Sequence, residues 1–277
     1  MFAIALAALS ALVWGSADYC GGRASQRGSA LSVTVVSQLL GLPMLALCVV
    51  VLPGTIYGQD LLWGAAAGVA GVIGIVLLYQ SLSTGAMAVA APITAVTGAL
   101  VPMSIGLITE ATPSTVALIG AGCAVVAIGL VSLGPAPSGG RVSVRVVGLA
   151  LASGALFGVF FSLLAQTHDG SGMWPLVAAR GASVLLGLTL IVRSRTSLIL
   201  PRSVLPWVAL AGIGDIAANA LYLLAAREGL LTVVAPIAAL YPVSTVLLAL
   251  TLDRERVRVV QLLGLGLAAT ALVLTAV

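Results

Sequence analysis

This amino-acid sequence predicts an all-α integral membrane protein of ten transmembrane helices, arranged as an inverted repeat of two five-helix units. Three observations carry that prediction: the balance of apolar to charged residues, ten apolar runs of bilayer length, and the return of the same residues half a chain later. The chain is 61% hydrophobic and 7% charged, with mean hydropathy +1.22, which leaves too little polar surface to coat a water-soluble core. Crossing the hydrocarbon core takes about 20 residues of helix. Runs of that length fall at 1–22, 30–52, 61–82, 86–109, 114–134, 145–167, 173–192, 204–226, 230–252 and 257–277. Barrel strands would need only about 9–11 residues of alternating polarity. Helices remain, because in lipid each backbone N–H and C=O must be paired within its own segment.

The opening run, MFAIALAALSALVWG, lacks the basic n-region of a secretory signal and has an internal counterpart, so it reads as span 1. Ser10, Trp14 and Asp18 share one face of it, with Asp18 near the membrane surface and placed to pair with Arg23. Span 2 carries Gln38. Span 3 holds Gly64, Gly68, Gly71 and Gly74, a small-residue series suited to close helix packing, with a dimer face as the alternative, and it ends on Tyr79 and Gln80. Span 4 contains AVAAPITAV at 88–96, and with span 5 it completes the first unit, residues 1–134. Residues 135–144 are a linker, and 145–277 form the second unit. His168, in the short loop after span 6 beside Asp169, reads as solvated. Cys20, Cys48 and Cys123 lie in or beside spans without metal-ligand spacing and read as packing residues, so no metal or cofactor is expected.

AVAAPITAV returns as TVVAPIAAL at 232–240. At the same offset of 144, Trp63 matches Trp207, Gly68 Gly212, Gly85 Gly229, Ala91-Pro92-Ile93 Ala235-Pro236-Ile237, Gly120 Gly264 and Gly122 Gly266. One step away, at 143, Ser10 matches Ser153 and Gly15 matches Gly158, with Trp14 opposite Phe157. Five spans is an odd number, so the second copy enters the membrane from the opposite side. Inverted repeats of this kind mark secondary transporters, because exchanging the conformations of the halves turns an outward-open cavity inward. Pro92 and Pro236 lack the N–H that a helix needs, and Pro102 and Pro242 follow them, so spans 4 and 9 should both kink near the site.

Ten spans, the A-P-I segments and the ending ALYPVSTVLLALTLDRERVRVVQLLGLGLAATALVL closely resemble the EamA-type transporters of the drug/metabolite transporter superfamily. Glu110 and Glu255 match the acidic residue usual after the fourth and ninth spans of that family. The resemblance implies a permease for a small metabolite, often an exporter of amino acids or related compounds, with a central cavity between the halves.

All twelve basic residues are arginine, which reads as GC-rich bacterial codon usage rather than a nucleic-acid signal. Taking odd-numbered loops as cytoplasmic places ten arginines inside against Arg227 alone outside, with Arg180 within a span, so both termini are expected on the outer face of a bacterial inner membrane.

Ionisable groups deep in a span cost about 2.5–3.5 kcal/mol on insertion scales and so need a reason. Asp215, mid-span 8, and Arg180, inside span 7, are the two that qualify. Asp215, Asn219 and Tyr222 lie at i, i+4 and i+7 on one face. Either Asp215 and Arg180 merely neutralise one another, with Asn219 as polar glue, or they serve a ligand. The repeat partners Gly71, Ile75 and Leu78 cannot form such a network, which favours the ligand. The expected substrate-binding set is Trp14, Tyr79, Arg180, Asp215, Asn219, Tyr222 and Tyr241, with Pro92, Pro102, Pro236 and Pro242 as hinges.

No P-loop is present and there is no lysine to complete one, so ATP-driven transport by this chain alone is excluded, and neither a G-x-S-x-G elbow nor H-E-x-x-H occurs. The expected function is secondary transport of a small polar metabolite by alternating access, with bilayer and substrate as partners; proton coupling, and monomer or homodimer, stay open. The rival is an intramembrane enzyme or binding scaffold using Asp215, which lacks a nucleophile–base pair.

Overall fold

The computed structural model describes the chain except residues 26, 83–86, 111, 133–143, 253–257 and 277, with backbone alone at 79–82, 87–92, 132, 245, 246, 249–252 and 276. Residues 135–143 of the expected linker, Gly85 and Glu255 therefore lie outside the described residues, as do the side chains of Tyr79 and Pro92. Among the described residues twelve α-helices follow in order: α1 (Phe2–Ser25), α2 (Ala30–Leu40), α3 (Leu42–Val51), α4 (Gly58–Leu82), α5 (Met87–Thr109), α6 (Thr115–Ser132), α7 (Val144–Ala165), α8 (Trp174–Ser194), α9 (Leu205–Glu228), α10 (Leu231–Ala238), α11 (Tyr241–Leu252) and α12 (Val259–Ala276). Among the described residues there is no strand. Six segments are long and apolar enough to cross a membrane, and four shorter apolar helices accompany them. Together they occupy the ten expected spans.

Two spans are interrupted. In span 2, Gly41 separates α2 from α3, and Pro43 in the first turn of α3 cannot donate to the turn before it. The chain barely deviates, since Gly41 N still donates to Ser37 O at 2.9 Å and Leu45 N to Gly41 O at 3.1 Å. Glycine is needed there for proximity: a Cβ on Gly41 would stand 2.6 Å from the carbonyl oxygen of Gly212 in α9. Span 9 breaks after Pro236, at Ala239 and Leu240, and α11 starts with Tyr241-Pro242. Span 4 carries Pro92 and Pro102 within a single uninterrupted helix. Pro102 packs against α7, where a Cβ on Gly158 would lie 3.1 Å from its Cδ.

Large apolar side chains point outward, among them Leu62 (72% exposed), Leu185 (69%) and Val192 (77%), whereas Ala7, Ala99, Ala124, Ala127 and Ala218 are fully buried. That inversion suits a lipid surround, in which association depends on close approach rather than on hiding oil from water. The approach is closest where Gly64 and Gly68 of α4 press on the carbonyls of Pro175 and Ala179 in α8, and where Gly212 of α9 presses on that of Ser37 in α2. α1 packs chiefly on α9 and also on α11, α4 on α7 and α8, α5 on α7, and α6 on α12. Each half thus fills gaps in the other.

Candidate functional site

α9 lies against α1 through small residues: a Cβ on Gly214 would stand 2.9 Å from Ala17 Cβ, and Gly21 faces Ala211. That contact sets Asp215 level with the segment Trp14–Asp18. Trp14 Nε1 donates to Asp215 Oδ1 at 3.3 Å, and Arg180 Nη2, from α8, donates to Asp215 Oδ2. Asn219, one turn along α9, donates through Nδ2 to the Asp215 carbonyl at 2.7 Å and to its Oδ1 at 3.1 Å. One carboxylate so gathers donors from three helices of both halves. The pair is unequally covered, the Arg180 side chain being 9% exposed and that of Asp215 34%.

Aromatic rings wall the cluster. Trp14 meets Phe161 of α7 edge-on at 5.1 Å between centroids and Tyr241 of α11 at 6.3 Å. Tyr222, on the same face of α9 as Asp215, is fully buried; its ring lies 4.9 Å from that of Phe161, and its hydroxyl donates to the Phe161 carbonyl at 3.0 Å. It supports the wall from behind. A second buried polar pair lies nearby on α8, where Ser183 Oγ donates to Gln38 Oε1 at 2.8 Å. Asp18 is exposed and, among the described residues, makes no ion pair; Arg23 instead donates to the Tyr19 hydroxyl at 2.7 Å and lies over the rings of Tyr19 and Trp207.

At one end the bundle is tied shut. Asp60, at the start of α4 and fully buried, accepts from the His168 backbone N–H at 3.2 Å and faces its Nδ1 at 2.8 Å. Thr55 N donates to Gly170 O, Trp174 Nε1 to Gly54 O, and Arg227 to Ser171 Oγ and Gly172 O. The Glu110 carboxylate accepts the Leu231 and Thr232 amides at 3.0 and 3.4 Å, capping α10. His168 itself is 57% exposed, in keeping with a solvated ring that has also found a carboxylate. Reading the sequence span by span missed Asp60 and the capping role of Glu110. An acid in the first turn of α4 was the available signal for Asp60, since the helix dipole favours it there.

An apolar groove of about 360 Å³ between α3 and α8, lined by Leu45, Val49, Trp174 and Val177, lies outside this cluster and carries no charged side chain.

Residues 1–133 match the model of the EamA-like transporter family. No curated protein matches the chain. A solved structure, titled only as the crystal structure of a protein, is similar in fold with a TM-score of 0.80, over 98% of this chain and 95% of its own, at 13% identity. The fold is therefore one already seen in a crystal, over nearly its full length. EamA proteins are membrane transporters of the drug/metabolite type, not enzymes. The ten apolar spans mark a multi-pass membrane protein, and over residues 1–133 the chain is similar to the EamA-like transporter family.

Proposed function

We propose that the chain is a secondary transporter that exports a small polar metabolite, such as an amino acid or related compound, by alternating access across a bacterial inner membrane. The observation that carries this reading is the Trp14–Asp215–Arg180–Asn219 cluster, assembled from both halves at mid-membrane depth and left partly open at Asp215. Charged groups this deep in a span are costly and call for a reason beyond packing, and the partial exposure of Asp215 leaves it within reach of a ligand.

Contacts repeated at the sequence offset support two interchangeable halves. Ser10 in α1 donates to Ala218 O in α9 at 2.8 Å, and Ser153 in α7 donates to Gly74 O in α4 at 2.8 Å. Donors and acceptors are 143 and 144 residues apart. A Cβ on Gly120 would stand 2.7 Å from Thr275, and one on Gly264 2.7 Å from Val131, again related by 144. The tied end, holding Asp60, Glu110, His168 and Arg227, is the periplasmic one if the arginine-rich loops are cytoplasmic, so the crevice opens inward, as loading an exporter requires.

The test is counterflow in proteoliposomes. Vesicles preloaded with one amino acid should accumulate its labelled form, and Asp215→Ala should abolish accumulation while still reaching the membrane. Absence of counterflow across the full set of amino acids would defeat the substrate class.

A further inference from the structure

Asp18 lies on the face of α1 that includes Ala7, Ala11 and Trp14, at i−11, i−7 and i−4. Ala7 and Ala11 are buried on that face, whereas Phe2, Leu9 and Leu12, on the opposite side, are exposed. The exposure of Asp18 is therefore not to lipid. It faces inward, into a crevice bounded by α9 and α11, the helices that flank α1. Trp14, one turn from Asp18 on this face, reaches both Asp215, to which its Nε1 donates, and the ring of Tyr241.

Among the described residues the charges in that crevice do not balance: Arg180 pairs with Asp215, Arg23 reaches Tyr19 and Trp207, and Asp18 makes no ion pair. α11 contributes Tyr241, and α10, also against α1, contributes no charge. Asn219, 5% exposed and on the same face of α9 as Asp215, keeps Oδ1 without a donor. Acceptors outnumber donors on this face. Trp14 and Tyr241 add ring faces, which attract cations.

We propose that this crevice recognises the ammonium group of an organic amine, with Asp18 as its counter-ion, and that it prefers the amine to the corresponding amino acid. The carboxylate of an amino acid would meet Asp18 and Asp215 with only a guanidinium already committed to the latter. What the bound amine does next rests on the transport reading above; its binding does not.

Three probes share one skeleton: 2-phenylethylamine, phenylalanine and 3-phenylpropionate. Titrated calorimetrically into the purified full chain at neutral pH, they should bind in that order, with the amine favoured over the carboxylate by about tenfold or more. Asp18→Asn, nearly isosteric at an exposed position, should weaken the amine by about tenfold and collapse its advantage, while Asp18→Glu should keep it. An unchanged melting transition in detergent certifies each variant as folded. Equal binding of the three probes, no binding of any, or an amine preference that survives Asp18→Asn would overturn the assignment. Counterflow in proteoliposomes separates the two readings. An amine that binds without being moved leaves the cation site standing and defeats transport, and a solute moved without amine preference does the reverse.

Discussion

Ser10 and Ala218 are joined by a 2.8 Å hydrogen bond that recurs, at the repeat offset, between Ser153 and Gly74. Each serine is fully buried and each ties the first span of one half to the third span of the other. Losing either bond should cost about 0.6 kcal/mol and no more than about 1.7, the range for hydrogen bonds inside membrane proteins. Ser10→Ala and Ser153→Ala should therefore melt within a few degrees of the parent. If the two halves exchange conformations as an inverted repeat, the variants should shift thiol labelling from the two sides of the membrane in opposite directions. Shifts in the same direction would remove the bonds from the switching equilibrium.

The Asp215–Arg180 pair separates neutralisation from ligand service. Asp215→Leu leaves a 9%-exposed guanidinium unpaired, a loss of about 3–5 kcal/mol for a buried pair broken on one side. The double variant Asp215→Leu with Arg180→Leu should regain that stability but not transport. Full recovery of counterflow in the double variant would reduce the pair to scaffolding.

Gly68 tests the closeness of α4 and α8. Its Cα faces the Ala179 backbone, which has no rotamer to yield, so Gly68→Val should cost about 1–3 kcal/mol or more and lower the yield of folded protein. Around Gly122 in α6, no atom lies within 4 Å of the place a methyl group would take, so Gly122→Ala should be neutral or gain up to about 1 kcal/mol from helix propensity. Thermal unfolding in detergent gives both numbers, and similar losses for the two glycines would contradict the packing described.

Glu110 caps α10 across the tied end of the bundle. Glu110→Ala should cost about 0.5–2 kcal/mol, the usual range for a lost cap. It should also speed labelling of a cysteine at Thr232, a fully buried position, in a background lacking Cys20, Cys48 and Cys123. Unchanged labelling would mean that the cap does not hold that end closed.

The arginine asymmetry makes its own test. A reporter active only in the periplasm should work when fused after Val277 and stay silent within 134–144. The converse result reverses the orientation and, with it, the side from which the crevice loads.

Much of this was legible because polarity is rare in the chain. Asp215, Arg180 and Asn219 stand out against apolar neighbours on two helices consecutive in the chain. Contacts that depend on the register of distant helices were not legible: Trp14 reaches Asp215 across 201 residues, and Asp60 reaches His168 across 108. Spacing placed Tyr222 on the polar face but could not say that Phe161 would cover it. The interruption at Gly41 was hidden for another reason, since Gly-Leu-Pro in an apolar run signals a break only once a neighbouring backbone is known to press there. Asp18 was weighed against Arg23 by sequence distance, and only the three-dimensional arrangement turns the arginine toward aromatic rings instead.

Every residue of Leu231–Ala238 is buried, enclosed by α1, α5, α6 and α9. Its apolarity is thus never spent on lipid in the finished molecule, although lipid is what it meets on leaving the insertion machinery. The slot it fills must stay open until the ninth span is made. Assembly of the bundle is therefore completed late in synthesis, and a chain halted before residue 231 would present the membrane with an unfilled seam, a ready mark for proteolytic surveillance.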